Sequence, residues 1–404
     1  MYYLNKPILF LITASAFVAT KAQQMPAPAG RPKEPAVTAA GSFSEAAAPK
    51  KMNPDANLNS KEINVSYDIA RNADIIIENS SRNLEIKTWD QPKVKITTTV
   101  YFEGDGNNIK DEDWLEKLNI VVKTTASSFK IKSGFASGGS YTLNGVTYPW
   151  NWSDGDRTFV FNGTSSSLRS ISTSSKSAKK IITIYLPKEG KLDVENKYSD
   201  INIASDINKL KLDITNGNAD LGNINNLILR SKYANINIGT VKTAEIEFVN
   251  GRCSIKSADD LDLDTKYATV DIDVIKKLNF HSTNDEYEFE EVGSLQGSKN
   301  YGNLRVTKLT ESLDLTGTNA DVKIRNIDAN VSAIKMDNKY ADLRLPLKNL
   351  KNYNVEVKGS YNSVYPDKSN SNENVNESGY TAAAGTGKGA TISVKCQNCT
   401  VDFK

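Results

Sequence analysis

Histidine is almost missing from this chain: His281 is the single one among 404 residues. A Ser–His–Asp triad or a His-rich catalytic zinc site is excluded unless His281 itself takes part. Cysteine is scarce too. Cys253, Cys396 and Cys399 allow at most one disulfide and one free thiol. An excess of charge of either sign is lacking, with 50 Lys and Arg against 48 Asp and Glu. Such a balance gives no electrostatic reason to expect nucleic acid or an acidic membrane surface as a partner. Beyond the N-terminus no apolar run is long enough to span a bilayer, so no transmembrane segment is expected. Helix signals are nearly absent apart from one short turn over 111–118.

What is present begins with a secretory pattern. Lys6 supplies a positive start, Ile8 to Val18 an apolar run, and Thr20-Lys21-Ala22 small residues at the cleavage positions. Residues 1–22 are therefore read as a signal peptide, and no Cys follows to carry a lipid. Export to the periplasm, the outer membrane or the cell surface is the expectation. Residues 23–62 are rich in Pro, Ala, Ser and Lys and read as a disordered linker, because such a composition cannot bury a core. Residues 63–404 then form one elongated domain.

That domain is dominated by a ten-position template: apolar, any, apolar, three turn residues, Tyr or polar, small, any, apolar. One copy runs from Leu192 and Val194 through Tyr198 and Ser199 to Ile201; another from Leu227 and Leu229 through Tyr233 and Ala234 to Ile236. Apolar pairs one residue apart have the period of a strand. Asn216-Gly217, Asn250-Gly251, Asn284-Asp285, Gly317-Thr318 and Gly359-Ser360 stand where a tight corner needs left-handed backbone. The small position, as at Ala219, Ala234, Cys253, Ala268 and Cys399, shares the inward face by alternation. The fold class is all-β, a β-solenoid or β-helix-like stack of about twelve short rungs. A coil of ~17 residues is favoured over one of ~34, because every rung has its own corner.

The length variation falls into a β-rich insertion after the first rung (87–190) and a C-terminal loop (365–390). Two rungs depart from the template. Tyr287 takes a small position and predicts a local widening, and Arg82 at the equivalent place in the first rung suits an exposed end.

With Asn83-Leu84-Glu85-Ile86-Lys87-Thr88-Trp89-Asp90, then Tyr185-Leu186-Pro187 leading into Glu195-Asn196-Lys197-Tyr198-Ser199-Asp200-Ile201, the chain resembles the putative-adhesin β-solenoid family of bacterial envelope proteins, common in Bacteroidetes. The resemblance covers about residues 70 to 404. It implies a solenoid in the cell envelope and carries over no catalytic residue.

Candidate ligand-binding residues fall in two groups. Tyr198, Tyr233, Tyr267, Tyr301, Tyr340 and Tyr361 form a column pointing outward beside the corner, often next to Lys. Such rings could stack on sugars or dock a partner, or they could cover the corner backbone and pack on each other. Tyr148, Trp150 and Trp152 cluster in a Gly/Ser-rich loop, suited to a glycan or protein contact or to capping the stack. Cys396 and Cys399 are candidates for a structural disulfide in the last turn, and Cys253 for a buried free thiol. Asp259, Asp260, Asp262 and Asp264 read as a solvated strand face rather than a calcium site, and His281 as a surface group. No catalytic residue, metal or cofactor is assigned. The reading is a non-enzymatic envelope adhesin or scaffold with a glycan or an envelope protein as partner. Alternatives are a periplasmic partner or sensor module and, least favoured, a polysaccharide-binding or polysaccharide-cleaving solenoid.

Overall fold

A computed structural model of the chain describes residues 59–102, 108–134, 181–367, 379–386 and 388–404, with strand segments 140–143, 146–149, 158–159, 171–172 and 372–376. The fold is all-β. Among the described residues the one helix is seven residues long, and a 19-stranded open sheet holds nearly all the strands.

The N-terminal part contains β1 (Asn59–Asp68), β2 (Asp74–Ser80), β3 (Asn83–Trp89), β4 (Lys93–Phe102), α1 (Asp111–Lys117), β5 (Ile120–Thr124) and β6 (Ser128–Ser133). Two small antiparallel pairs follow, β7 (Ser140–Leu143) with β8 (Val146–Pro149) and β9 (Thr158–Phe159) with β10 (Ile171–Ser172). Then come β11 (Ile181–Pro187), β12 (Lys191–Lys197) and β13 (Ile201–Ile203). β2 is paired in parallel on one side with β6 and on the other with β12. β3 likewise lies between β11 and β13. The first template copy is therefore not an exposed end. The insertion supplies two strands that cover it, β6 beside β2 and β11 beside β3. β4 and β1 continue from β11 as antiparallel strands, and β5 does so from β6.

These placements correct two expectations. Arg82 is 6% exposed, and its guanidinium donates to the Leu118 carbonyl. Burial lowers its pKa to about 10. The insertion covers what the sequence pattern left open. β1 begins at Asn59, inside the segment read as linker, because its backbone pairs with β4 from Asn59↔Phe102 onward. α1 packs against β1 and β5 with Trp114 and Leu115 buried. Asp111 accepts from the Asn64 amide at 2.9 Å and pairs with Lys61 at 3.0 Å.

The middle is a parallel ladder of β14 (Ile207–Leu221) and β15 (Ile224–Ile327), the latter running continuously around several corners. From Ile207↔Ile224 to Leu221↔Ile238 partners lie 17 residues apart. The same step recurs in side-chain bonds, Asn235 to Asn218, Asn279 to Asp262, Asn303 to Glu286 and Lys308 to Glu291. The two-unit period of ~34 residues legible in the sequence is thus two steps. Alternation does the rest: Leu227, Leu229, Ile236 and Ile238 are buried while Lys232 and Asn235 face out. Each buried aliphatic contributes about 1.5–3 kcal/mol, and only against its neighbours one step away.

The C-terminal part holds β16 (Ala333–Lys339), β17 (Asp342–Arg344), β18 (Tyr353–Lys358), β19 (Ser363–Tyr365), β20 (Asn372–Asn376), β21 (Gly379–Ala384), β22 (Ala390–Gln397) and β23 (Thr400–Asp402). Chain order fails here as well. β22 slots between β16 and β18, and β23 between β17 and β19. The stretch read as a loop supplies β21, antiparallel to β18, and β20 beyond it. Tyr380 stacks on Phe403 at 6.2 Å between ring centroids.

Candidate functional site

Each step turns its corner through one residue in left-handed backbone. In ladder order from β12 to β18 these are Tyr198, Asn216, Tyr233, Asn250, Tyr267, Asn284, Tyr301, Asn319, Tyr340, Asn398 and Tyr361, all with φ between 51° and 62°. Tyrosine and asparagine alternate without a break. The rule survives even at the C-terminus, where Asn398 from the end of the chain is inserted between Tyr340 and Tyr361. Asparagine is at home in this conformation, whereas a bulky side chain resists it by about 1–2 kcal/mol. Because Asn closes the same corner on alternate steps, the backbone does not demand the aromatic ring.

The six rings are also the most exposed large apolar groups of the ladder, from 50% for Tyr301 to 83% for Tyr361. Tyrosines on alternate steps are about 9.5 Å apart, twice the spacing of neighbouring strands. They are too far apart for ring-on-ring stacking, and an Asn lies between each pair. Lys266 reaches back over the Tyr267 ring at 5.4 Å.

Behind the corner, two inward positions face each other: two residues before the left-handed residue and one after it. Asn196 and Ser199 occupy them on one step, joined by an amide-to-carbonyl bond of 2.6 Å and a hydroxyl-to-amide bond of 3.0 Å. Ser282 and Asp285 occupy them on another, at 2.7 Å. Cys396 and Cys399 occupy them near the C-terminus and form a disulfide, Cα to Cα 6.0 Å. The bridge takes the place of a polar contact across the turn. Where Gly217 and Gly251 stand, a Cβ would collide with the carbonyl oxygen of Ser199 or Ala234 on the step below.

One buried cluster was not legible as a site in the sequence. Asp285, 1% exposed, accepts from the Thr265 hydroxyl at 2.6 Å, the Ser282 hydroxyl at 2.7 Å, the Ala268 amide at 2.7 Å and the Thr283 amide at 2.9 Å. Lys299 is fully buried one step further on. Its ammonium donates to the Asp285 carbonyl at 2.6 Å and to Ser282 at 3.1 Å, and lies 4.6 Å from the centre of the Tyr287 ring. Desolvation lowers the Lys299 pKa to about 8, against the pull of Asp285 and Glu286. Tyr287 is buried between Phe280 and Phe289, hydrogen-bonded to Thr265, and burial raises its pKa. Cys253, a free and fully buried thiol, is pushed up to about 12 for the same reason. No group in this cluster is open to solvent, so its satisfied bonds make it a structural core of the irregular step. The signal that could have found it is Lys299 at an inward position of the strand pattern.

Of the remaining candidates, Trp150 and Trp152 lie outside the described residues. Tyr148 falls in β8, where only the backbone is described. Lys276 pairs with Asp259 at 2.7 Å and Lys277 with Asp260 at 3.3 Å, and Asn279 donates to Asp262. The acidic face is thus matched one step away by donors. Among the described residues no group of three or more His, Cys, Asp or Glu could hold a metal ion. His281 is exposed beside Ser298, Nδ1 to Oγ 2.9 Å.

No protein-family model and no curated protein matches the chain. Solved structures align with much of it at low identity. A putative adhesin from Parabacteroides merdae is 12% identical, with 70% of this chain and 97% of that one covered and a TM-score of 0.35. A putative lipid binding protein from Parabacteroides distasonis is 13% identical, with coverage of 70% and 97% and a TM-score of 0.30. A putative adhesin from Bacteroides fragilis is 12% identical, with 85% and 97% covered and a TM-score of 0.27. The name adhesin thus returns among the similar structures, as in the resemblance read from the sequence. Superpositions this loose support no transfer of activity. No described helix is long and apolar enough to cross a membrane.

Proposed function

We propose that the ladder is the wall of a β-solenoid with one coil per ~17-residue step, and that the protein is an exported, non-enzymatic envelope component whose tyrosine corner is its binding edge. It would act as an adhesin or a surface scaffold. The observation that carries this reading is the alternation at the corner. A strained, half-exposed or more exposed Tyr recurs where Asn on the next step makes the same turn. A conformational cost borne six times over for solvent-facing rings is explained by what those rings touch. Export rests on the sequence pattern of residues 1–22.

Two measurements test it. Protease shaving of intact cells, with a periplasmic protein as control, should remove the protein while the control stays protected; protection of both moves the search to periplasmic partners. Cells carrying Tyr198→Asn, Tyr233→Asn and Tyr267→Asn together should lose attachment to their surface while displaying a folded protein. Undiminished attachment would remove the tyrosine edge from the reading.

A further inference from the structure

The tyrosine edge carries both signs of charge, on opposite sides of its corner, and that pattern selects a partner. We propose, resting on the binding-edge reading above, that the edge docks on the same edge of a second copy of this chain. The two ladders then lie side by side and run in the same direction.

Charge is the first ground. The residue before the corner is Lys197, Lys232, Lys266 or Lys339 on four of the six tyrosine steps. Two residues after the corner, the outward position holds Asp200, Glu286, Asp321 and Asp342, with Arg252 as its one cation. Arg252 is held by Asp271 at 2.8 Å. Lys232, Lys266 and Lys339 on one side, and Asp200, Asp321 and Asp342 on the other, are exposed and make no ion pair among the described residues. Lys197 is shared with Glu195 of its own chain. Further carboxylates, Asp264 and Asp337, lie outward two positions before the lysines. A strip with carboxylates on both flanks of its lysines does not complement a polymer of one sign. It does complement itself. A two-fold axis along the edge turns the side before the corner onto the side after it. Lys197 then faces Asp200 of the second copy, Lys339 faces its Asp342, and Lys266 lies one step from its Glu286. A two-fold axis across the edge would set each column against itself, lysine on lysine and carboxylate on carboxylate. Charge therefore selects the parallel pair.

Period is the second ground. The rings recur every second step, about 9.5 Å apart. The alternation holds through Asn398, where the chain order itself is broken. A second copy has this period at every step. In the parallel pair each Tyr meets its own counterpart and each Asn its own, so exposed rings are buried against rings, as Tyr commonly is at protein interfaces.

Area is the third. Eleven corners in a row span about 48 Å, and the corner with its two flanking columns is about 15 Å wide. That gives roughly 700 Å² per copy, close to the ~800 Å² per partner of a stable protein–protein contact.

The test is sedimentation equilibrium of the mature chain, Gln23 to Lys404. A monomer–dimer equilibrium in the micromolar range is expected. Tyr233→Asn with Tyr267→Asn should weaken it by about tenfold or more, while the dilute protein melts at the same temperature or higher. Lys339→Asp should weaken it as well, and adding Asp342→Lys to that variant should restore it. Cysteine cross-linking reads the direction. Asn216→Cys, at the second corner of the row, should give a covalent dimer on mild oxidation, and so should Asn284→Cys at its middle; Asn279→Cys, off the edge, should not. A cross-link in Asn284→Cys without one in Asn216→Cys would mean antiparallel ladders and overturn the parallel pair. A monomer up to about 1 mM, or a dimer indifferent to the tyrosine pair, would overturn the second copy as partner. If that monomer still loses cell attachment in the tyrosine variant, the binding edge stands and its occupant is another molecule; if attachment ignores the variant, the edge itself falls. A dimer broken by the tyrosine pair with attachment unchanged would support the pairing and remove adhesion from the reading above.

Discussion

The middle of the ladder and its two ends solve different problems. Between Ile207 and Ile327 the chain advances in its own order, step after step, with counterparts 17 positions on through most of the stretch and 21 on where β15 meets β16 and β17. At both ends that order is broken in the same manner. β2 and β3 are held between β6/β11 and β12/β13, and β22 and β23 between β16/β17 and β18/β19. Antiparallel strands then close each end, β4 and β1 with β5 at one and β21 with β20 at the other. A repeat needs only neighbours, but its last copy exposes a row of unpaired backbone groups that invites another chain. Slotting a distant segment into the stack ties each end down by strands remote in sequence.

The contrast can be broken most severely at the C-terminal end. Deleting Ala390–Lys404 removes the slotted step and the buried Ile392, Val394, Val401 and Phe403. We expect a loss of about 6 kcal/mol or more. Hydrogen exchange should show β18 and β19 unprotected while Ile207 to Ile272 keeps its protection. Equal loss along the whole ladder would show that ends and middle are one cooperative unit.

In the middle, Ala234→Trp places a large ring in the inward corner column, where Ala234 is 3% exposed. A cost of about 3 kcal/mol or more is expected in urea unfolding. A variant as stable as wild type would refute the inward assignment.

Lys299 sharpens the comparison within the middle of the ladder, since between Ile207 and Ile327 its step alone carries a buried cation. Burial lowers its pKa from the ordinary 10.5 to about 8. Between those values the unfolded chain binds more protons than the folded one, so this group's contribution to stability rises with pH. Its penalty, roughly 3 kcal/mol at full size, is present below pH 8 and fades toward pH 10.5. Melting curves should show wild type gaining stability relative to Lys299→Met from pH 8 to 10; parallel curves would mean the ammonium is solvated.

The smallest effect belongs to the exposed corner. Tyr267→Asn replaces a strained residue by the one used on the adjacent steps, and stability should hold or rise by about 1 kcal/mol in thermal unfolding. A loss of several kcal/mol would make the ring part of the core.

Much of this was legible in the sequence. The buried pairs, the outward tyrosines and the short helix all follow from alternation and turn chemistry, which act over a few residues. The corner was legible only in part. Asn216, Asn250 and Asn284 announced left-handed backbone, but Tyr233 and Tyr267 in the same conformation did not, because no propensity places a bulky residue there. Arg82 looked like the mark of an open end, since nothing local reveals that Leu118 and the insertion will cover it. The cluster of Asp285, Lys299 and Thr265 could not be assembled from a list of residues 17 and 20 positions apart without knowing the step.

The sequence by itself determined the all-β strand pattern and the side that the alternating aliphatic pairs face, because these depend on periods of two residues and on single turn positions. Only the tertiary structure decided the order of steps at both ends, the burial of Arg82 and Lys299, and the unbroken Tyr–Asn alternation through Asn398. Those depend on which segments lie side by side, and backbone hydrogen bonding between parallel strands is indifferent to how far apart in the chain its partners are.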